Sequence, residues 1–362
     1  MGKYFINREI VFVTLRMTPP FFLGGAEISQ RILAEKLVAH NFKVSCIGSY
    51  AHPIRNTWER LPEYCDYLSQ NNIPFEFEGA GSNLSYTYNG IFCIMLTQEN
   101  VMKYFIENNN NVQLVFTWLE RSDEIIKYCN DNQINVATWI HDVLSVGLMS
   151  LQAGPPIILF TSEFVRQRVK KLYNLNGFVI YPPFELKDVN QIYAKNKSEC
   201  KTITLINPIP EKGIKTFLEL STYFKDFTFL IVEGWRPVNI DDVYLNQNVR
   251  YVARQYDMNH VYAHTHILLV PSHFEEGFGR VVIEAGFYGV PSIVSNRGGL
   301  VEATGNGGIV VNSHDINEWY KAIKTVDDAN NYKMFSMQAK ANADLFFKDP
   351  VLELIDIGIL KK

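Results

Sequence analysis

Short apolar runs alternate with amphipathic stretches along most of the chain, and this alternation predicts a mixed α/β fold. The runs are rich in Val, Ile, Phe and Thr, the composition of parallel strands that are buried on both faces. Most are followed by a segment whose apolar residues recur at helical spacing, as doubly wound sheets require. The predicted strands are 10–15, 44–48, 112–117, 135–140, 157–161, 178–181, 202–206, 227–233, 249–253, 267–271 and 291–295, with a last short strand after a Gly-rich turn within 305–311.

The pair Pro182-Pro183 divides this alternation into two halves. Consecutive prolines favour an extended connection, and the polar, Lys- and Asn-rich stretch after them is typical of a linker. A chain of 362 residues is also long enough for two ordinary cores. The sequence predicts an N-terminal domain over 1–183, a linker over 184–200, a C-terminal domain over 201–345 and a terminal helix over 346–362.

Composition narrows the class of protein. With 47% hydrophobic and 20% charged residues, the chain is expected to fold rather than stay disordered. A net charge of −4 argues against a broad nucleic-acid surface, and the five scattered cysteines are typical of reduced thiols in the cytoplasm. We expect a cytoplasmic protein. Peripheral contact with the inner face of a membrane stays open, because one amphipathic helix is enough for it.

The stretch from Ile267 to Gly299 carries the clearest candidate chemistry. A strand leads into a loop that contains Glu276. A helix that starts near Arg280 follows, and it carries Glu284, eight positions after Glu276. Open α/β sheets bind ligands at the carboxyl ends of their strands, and a helix N-terminus attracts anions. Two carboxylates at different depths therefore suit a ligand with two sets of hydroxyls joined by an anionic group. The structural alternative is that Glu284 caps a neighbouring loop and that Glu276 is solvated.

This stretch resembles the donor-binding signature of the retaining glycosyltransferases of the GT-B fold, in particular the GT4-like enzymes (glycosyl transferases group 1). The matching residues are Pro271-Ser272, Glu276-Gly277-Phe278-Gly279, Glu284-Ala285 and Gly289-Val290-Pro291. The resemblance implies two Rossmann-like domains that face a central cleft, with a C-terminal helix crossing back to the first domain. It also implies transfer of a sugar from a UDP- or GDP-sugar to a glycan, a lipid-linked acceptor or a small molecule.

Further donor-site residues follow from the same resemblance. Glu276 would hold the sugar and Glu284 the ribose, while Gly277, Phe278 and Gly279 would form the loop at the start of the helix. The diphosphate would contact Lys212 and a glycine loop in the first domain, and loop groups near Arg254 would hold the base. A second cation for the diphosphate would come from Arg280 at the helix start or from Arg297, because Asn207 replaces the usual arginine. His141, which precedes Asp142, would contact the sugar. The remaining donor-site positions are Gly24, Gly25 and Asn207, which stands where many relatives have arginine.

The acceptor site is harder to assign. The region from Tyr50 to Leu96 lacks the βα alternation, and its polar residues either line an acceptor pocket or cover the sheet. These residues are His52, Arg55, Trp58 and Arg60.

By resemblance, the mechanism retains the anomeric configuration, with the leaving phosphate deprotonating the acceptor on the same face of the sugar. We expect no metal or other cofactor, and the chain has no DxD motif. Two alternatives stay open: a non-catalytic nucleotide-sugar-binding subunit, which Asn207 favours, and a GT-B epimerase. A GT-B phosphorylase is disfavoured because no pyridoxal lysine site is evident.

Overall fold

A computed structural model describes residues 9–22, 24–50, 61–78, 83–109, 111–185, 201–234, 246–255, 257–312 and 315–361. The chain divides into two compact units. The first comprises residues 1–161, 166–183 and 349–362, and the second comprises residues 162–165 and 184–348. Within the described ranges, no helix has the length and the apolar character that crossing a bilayer requires.

The first unit is built on a nine-stranded sheet with the order β3-β4-β5-β2-β1-β6-β7-β8-β9. All its strand pairs are parallel except those that β4 makes with β3 and β5. The strands are β1 (Glu9–Val13), β2 (Lys43–Ser49), β3 (Phe75–Glu78), β4 (Asn83–Tyr88), β5 (Ile91–Leu96), β6 (Val112–Thr117), β7 (Val136–Ile140), β8 (Ile157–Phe160) and β9 (Phe178–Val179). The helices that alternate with them are α1 (Gly25–Ala39), α2 (Leu61–Gln70), α3 (Gln98–Asn108), α4 (Ser122–Asp131) and α5 (Glu163–Tyr173).

The second unit contains a six-stranded sheet with the order β12-β11-β10-β13-β14-β15, and all its pairs are parallel. The strands are β10 (Thr202–Ile206), β11 (Thr228–Val232), β12 (Val249–Val252), β13 (Ile267–Val270), β14 (Ser292–Ser295) and β15 (Gly308–Val311). The helices are α6 (Ile214–Tyr223), α7 (Asn259–Ala263), α8 (Arg280–Phe287), α9 (Leu300–Thr304), α10 (Ile316–Asp327) and α11 (Ala329–Leu345). The strand order reverses between β10 and β13, which is the position where doubly wound sheets bind ligands.

Glycines fix helix α8 against its surroundings. Gly279 begins the helix at a φ of 106°, and Gly289, at 60°, follows its C-terminus; both values favour glycine. Gly286 lies inside the helix and faces α11, where an added Cβ would come within 2.8 Å of the carbonyl oxygen of Ala339. The strand before the helix, β13, is buried along its whole length.

The final helix, α12 (Pro350–Asp356), belongs to the first unit, where it contacts α1. Asp349 caps it by accepting a hydrogen bond from the backbone amide of Val351 at 2.9 Å. The same carboxylate pairs with Nε2 of His40 at 3.0 Å, just beyond the C-terminus of α1. One acidic side chain thus caps the last helix and links it to the first.

Candidate functional site

The loop between β13 and α8 is held by backbone contacts with the loop that follows β14. Glu276 forms an isolated parallel bridge with Gly298, and its carbonyl oxygen accepts a hydrogen bond from the amide of Gly299 at 2.8 Å. A Cβ on Gly298 would lie 2.2 Å from the same carbonyl oxygen, and one on Gly299 would lie 2.5 Å from that of Gly277. The two glycines therefore allow the chains to approach closely, which fixes the position of Glu276.

The side chain of Glu276 meets that of Lys212. The ammonium lies 2.5 Å from Oε1 of Glu276, and the hydroxyl of Ser272 donates to the same oxygen at 2.6 Å. Only 18% of the lysine side chain and 11% of the glutamate side chain are exposed. The ammonium also lies 5.0 Å from the ring centroid of Phe274. The two residues that the sequence assigns to phosphate and sugar thus form one ion pair within the second unit.

Lys212 reaches this position because of the turn that precedes α6. The turn Pro210–Lys212 is a single 3₁₀ turn, and Gly213 follows it at a φ of 81°. A Cβ on Gly213 would lie 2.1 Å from the carbonyl oxygen of Pro271. The β10–α6 turn and the β13–α8 loop are therefore in direct contact, and only glycine fits between them.

The second predicted carboxylate, Glu284, has a partner for each of its oxygens. Arg280, one turn earlier on α8, donates to Oε1 from Nε at 3.2 Å and lies 3.1 Å from it through Nη2. The hydroxyl of Tyr262, on α7, donates to Oε2 at 2.7 Å. The guanidinium of Arg280 also lies over the ring of Phe184, 4.5 Å from its centroid. Arg280 therefore orients Glu284 in addition to being close to the start of the helix.

The other loop residues, 277–279, shape the loop through backbone contacts and through one buried side chain. The carbonyl oxygen of Gly277 accepts a hydrogen bond from Ser162, a residue of the same unit, at 2.5 Å. Phe278 is buried and packs its ring against Phe346 at a centroid distance of 5.1 Å. At Gly279 the left-handed backbone lets the helix begin. The aromatic position of the motif thus anchors the loop in the core.

Asn207, where many relatives have arginine, adopts a left-handed backbone conformation with a φ of 63°. Asparagine tolerates this conformation better than most side chains. The residue is 6% exposed, and its Oδ1 is buried with no hydrogen-bond partner among the described residues. A Cβ on Gly234 would lie 2.4 Å from this side chain, so the glycine makes room for it. Arg254 is half-buried just after β12.

His141 and the pair Gly24-Gly25 lie in the first unit. The imidazole follows β7 and packs against two buried tryptophans, with ring centroids 4.8 Å from Trp139 and 5.5 Å from Trp118. The next residue, Asp142, accepts a hydrogen bond from the amide of Leu144 at 2.9 Å. Burial raises the pKa of Asp142 above its usual value.

The glycine loop of the first unit is held by charged residues that the sequence analysis did not single out. The amide of Gly24 donates to Glu27 at 2.9 Å, and the other carboxylate oxygen of Glu27 lies 3.4 Å from Arg16. Arg16 in turn makes a two-pronged pair with Glu120, at 2.8 and 2.6 Å. The sequence carried a signal for this contact, because an acid at the third helical position is typical of a helix that caps its own N-terminus.

The acceptor candidates His52, Arg55, Trp58 and Arg60 lie outside the described residues.

Residues 201–327 match the family model described as glycosyl transferases group 1. The O-antigen chain mannosyltransferase RfbU of Salmonella typhimurium is 25% identical over 47% of this chain and 50% of that protein. A Campylobacter jejuni N,N'-diacetylbacillosaminyl-diphospho-undecaprenol alpha-1,3-N-acetylgalactosaminyltransferase is 29% identical over 38% of each chain. These alignments thus span about half of the relatives' length or less.

Solved structures extend the similarity to nearly the whole chain. Anabaena HepE, crystallised with UDP-glucose, superposes with a TM-score of 0.72 at 16% identity and covers 96% of this chain and 98% of its own. The lipopolysaccharide-biosynthesis glycosyltransferase WaaG superposes with a TM-score of 0.67 at 13% identity, covering 96% and 99%. At such identities the similarity establishes the fold. It confirms the predicted GT-B fold, and together with the family match over residues 201–327 it supports the group 1 glycosyltransferase that the motif predicted.

Proposed function

We propose that this protein is a retaining, GT4-like glycosyltransferase that moves a sugar from a UDP- or GDP-sugar to a glycan, a lipid-linked acceptor or a small molecule. One observation carries the proposal most directly. Lys212, Glu276 and Ser272 converge at the carboxyl ends of β10 and β13, at the reversal of strand order and ahead of helix α8. The site thus offers a cation and a hydroxyl-binding carboxylate at the position where such sheets bind nucleotides.

The proposed binding mode uses the ion pair as an exchangeable contact. A diphosphate oxygen would accept hydrogen bonds from the ammonium of Lys212, whose charge and three donors suit phosphate. Glu276 would then exchange that ammonium for hydroxyl groups of the donor sugar. Free amides at the start of α8 would add partial positive charge beside the phosphates. The donor therefore replaces each interaction that it disrupts.

The chemical step would break the bond between the anomeric carbon and the phosphate oxygen and form a bond from the same face to the acceptor oxygen. The acceptor proton would pass to the leaving phosphate. Lys212 would stabilise the diphosphate as its charge increases, an effect that grows in a site from which water is excluded. The roles of His141, Gly24, Gly25, Asn207, Arg254 and Arg280 at the donor, and the absence of a metal requirement, stay predictions from the sequence.

A donor panel tests the proposal. The purified protein is incubated with common UDP- and GDP-sugars, with and without lipid-linked and oligosaccharide acceptors, and nucleotide release is followed together with the anomeric configuration of any product by NMR. We expect turnover with one donor and a product of retained configuration. Inversion would refute the retaining assignment. Binding without turnover would favour the non-catalytic subunit, and interconversion of the donor's sugar would favour an epimerase.

Paired substitutions test the site itself. Glu276→Ala should reduce turnover at least a hundredfold, because the buried carboxylate is the proposed sugar ligand. Its neighbour Glu275 is a matched control, and Glu275→Ala should keep turnover within about twofold. Equal turnover of the two variants would remove Glu276 from the mechanism.

We also propose that the protein contacts an anionic membrane surface through the C-terminal end of α5. Four cations lie within one short segment there: Arg166, Arg168, Lys170 and Lys171. Leu172, Tyr173 and Phe178 are 54%, 47% and 46% exposed beside them. Cations near exposed apolar side chains favour the interface of an anionic bilayer. Co-sedimentation with phosphatidylglycerol vesicles but not with phosphatidylcholine vesicles would support the proposal, and equal recovery with both would refute it.

A further inference from the structure

The side chain of Glu284 is held from two sides by residues of different helices. Tyr262, on α7, donates its hydroxyl to Oε2, whereas both contacts from Arg280, on α8, go to Oε1. Tyr262 is 1% exposed, so its phenol is part of the core and its hydroxyl has little freedom. We infer that Tyr262 is a positioning residue for Glu284, and that it sets the affinity of the site for the ribose hydroxyls of the nucleotide. This inference rests on the proposed function.

The count of lone pairs shows what the arrangement leaves available. A carboxylate has about four sites that accept hydrogen bonds, two on each oxygen. Tyr262 occupies one site on Oε2, and Arg280 occupies Oε1. Acceptor capacity thus remains on Oε2, beside the site that Tyr262 occupies. A ribose presents two neighbouring hydroxyls, the 2′ and the 3′, and Oε2 is the oxygen that is able to accept a hydrogen bond from one of them.

The geometry of Arg280 explains why the tyrosine is needed. A guanidinium and a carboxylate prefer a two-pronged arrangement in which each oxygen receives its own N–H group. Here Nε and Nη2 both approach Oε1, at 3.2 and 3.1 Å, while Oε2 is turned to Tyr262. Without the phenol hydroxyl, the carboxylate is free to rotate until both oxygens pair with Arg280. The ribose hydroxyls would then have to displace Arg280 from the carboxylate oxygens.

Tyr262 keeps its proton under all physiological conditions. Burial, and then the charge of Glu284, raise its pKa well above the usual value. The hydroxyl therefore remains a donor whenever Glu284 is ionised, and the contact does not change with physiological pH.

The test is the affinity for a nucleotide with and without ribose hydroxyls. Calorimetry measures binding of UDP, GDP and their 2′,3′-dideoxy analogues to the full-length protein, to Tyr262→Phe and to Tyr288→Phe. We expect Tyr262→Phe to weaken binding of the normal nucleotide about tenfold and that of the dideoxy analogue less than twofold. With a donor that turns over, KM should rise by the same factor while kcat changes little. Replacing Tyr262 by 4-aminophenylalanine, which keeps an N–H donor, should restore most of the affinity.

Tyr288 is the matched control. Its ring is also buried, 5.8 Å from that of Tyr262, but its hydroxyl bonds to Asn259 rather than to Glu284. Tyr288→Phe should lower stability without changing the ratio of the two affinities. If Tyr262→Phe weakens both nucleotides equally, or neither, Tyr262 is only structural and the inference is wrong. If the unmodified protein binds neither UDP nor GDP and releases nucleotide from none of the UDP- and GDP-sugars, the proposed function fails, and this inference fails with it.

Discussion

The ion pair of Lys212 and Glu276 predicts a strong energetic coupling in the resting protein. The substitution Lys212→Met removes the ammonium but keeps a side chain of similar length. It leaves the carboxylate of Glu276, 8% exposed as a residue, with Ser272 as the remaining donor to Oε1. Removing one partner of a buried pair costs about 3–5 kcal/mol. Because Ser272 still donates, we expect a loss near the lower limit, about 3 kcal/mol.

The other corners of the mutant cycle separate charge from packing. Glu276→Gln removes the negative charge at nearly constant volume, and the freed ammonium is able to turn toward water since 18% of its side chain is already exposed. We expect this variant to lose about 1–2 kcal/mol. The double variant contains neither charge, and its loss of unfolding free energy should be smaller than the losses of the two single variants added together. A coupling of about 2 kcal/mol is the expected result for two groups in direct contact.

Native-state hydrogen exchange is the suitable assay, because a chain of two units does not guarantee a single unfolding transition. Protection of the amides in β13 and β14 reports the free energy of opening the sheet that carries Glu276. The four proteins are compared at several urea concentrations, without ligand. A coupling below about 0.5 kcal/mol would show that the two side chains do not pair in solution. The picture of an exchangeable resting contact would then be wrong.

Two further predictions concern the backbone of the site and the last helix. Gly213→Ala should destabilise the second unit by more than about 2 kcal/mol, because a left-handed residue other than glycine costs about 1–2 kcal/mol and the added Cβ also meets the carbonyl of Pro271. The matched control, measured in the same unfolding series, is Gly358→Ala, at a position with a φ of 77° and open space around it. Burial alone would raise the pKa of Asp349, but His40 and backbone amides outweigh it and lower that pKa. The stability that this ionised carboxylate contributes is present above the usual aspartate pKa of about 4 and is lost as the pH falls through the lowered pKa. Asparagine at this position can still cap α12, so Asp349→Asn should cost about 1 kcal/mol of unfolding free energy at pH 7 and nothing in strong acid. An equal cost at both pH values would contradict the pairing with His40.

The sequence was most informative where the chemistry is local. The strand, loop and helix around Glu276 occupy one continuous segment, so the apolar run, the glycines and the helical spacing could be interpreted together. Apart from β5, which lies in the region without βα alternation, the parallel strands of both sheets were predictable for the same reason, since strands buried on both faces are continuous apolar runs. The antiparallel pairing of β3, β4 and β5 was not predicted. There β3 and β4 alternate polar and apolar residues whereas β5 is apolar throughout, and their pairing depends on partners that spacing alone does not identify.

Residues that act through another side chain were the ones that sequence reasoning missed. Tyr262 lies 22 positions before Glu284 and has the appearance of a core aromatic until the two helices are brought together. Arg280 is different, because its spacing of four from Glu284 is the usual signature of an ion pair on one helix face. The sequence analysis assigned Arg280 to the diphosphate because it stands at the helix start and Asn207 takes the place of the arginine that many relatives have. That role stays a prediction, and the pairing with Glu284 is a second role that the spacing alone could have indicated.

The pairing of the charged residues has a consequence for the kind of ligand that the proposed site accepts. Lys212 is neutralised by Glu276 and Arg280 by Glu284, so these four side chains have no net charge to offer a free anion. An isolated phosphate or diphosphate would have to break an ion pair and leave a carboxylate without a partner, which is costly where the group is buried. A nucleotide sugar carries phosphates and hydroxyl groups together, and its hydroxyls are the groups that satisfy the released carboxylates. The same ion pairs that keep the resting site stable therefore favour the complete donor over its anionic fragment.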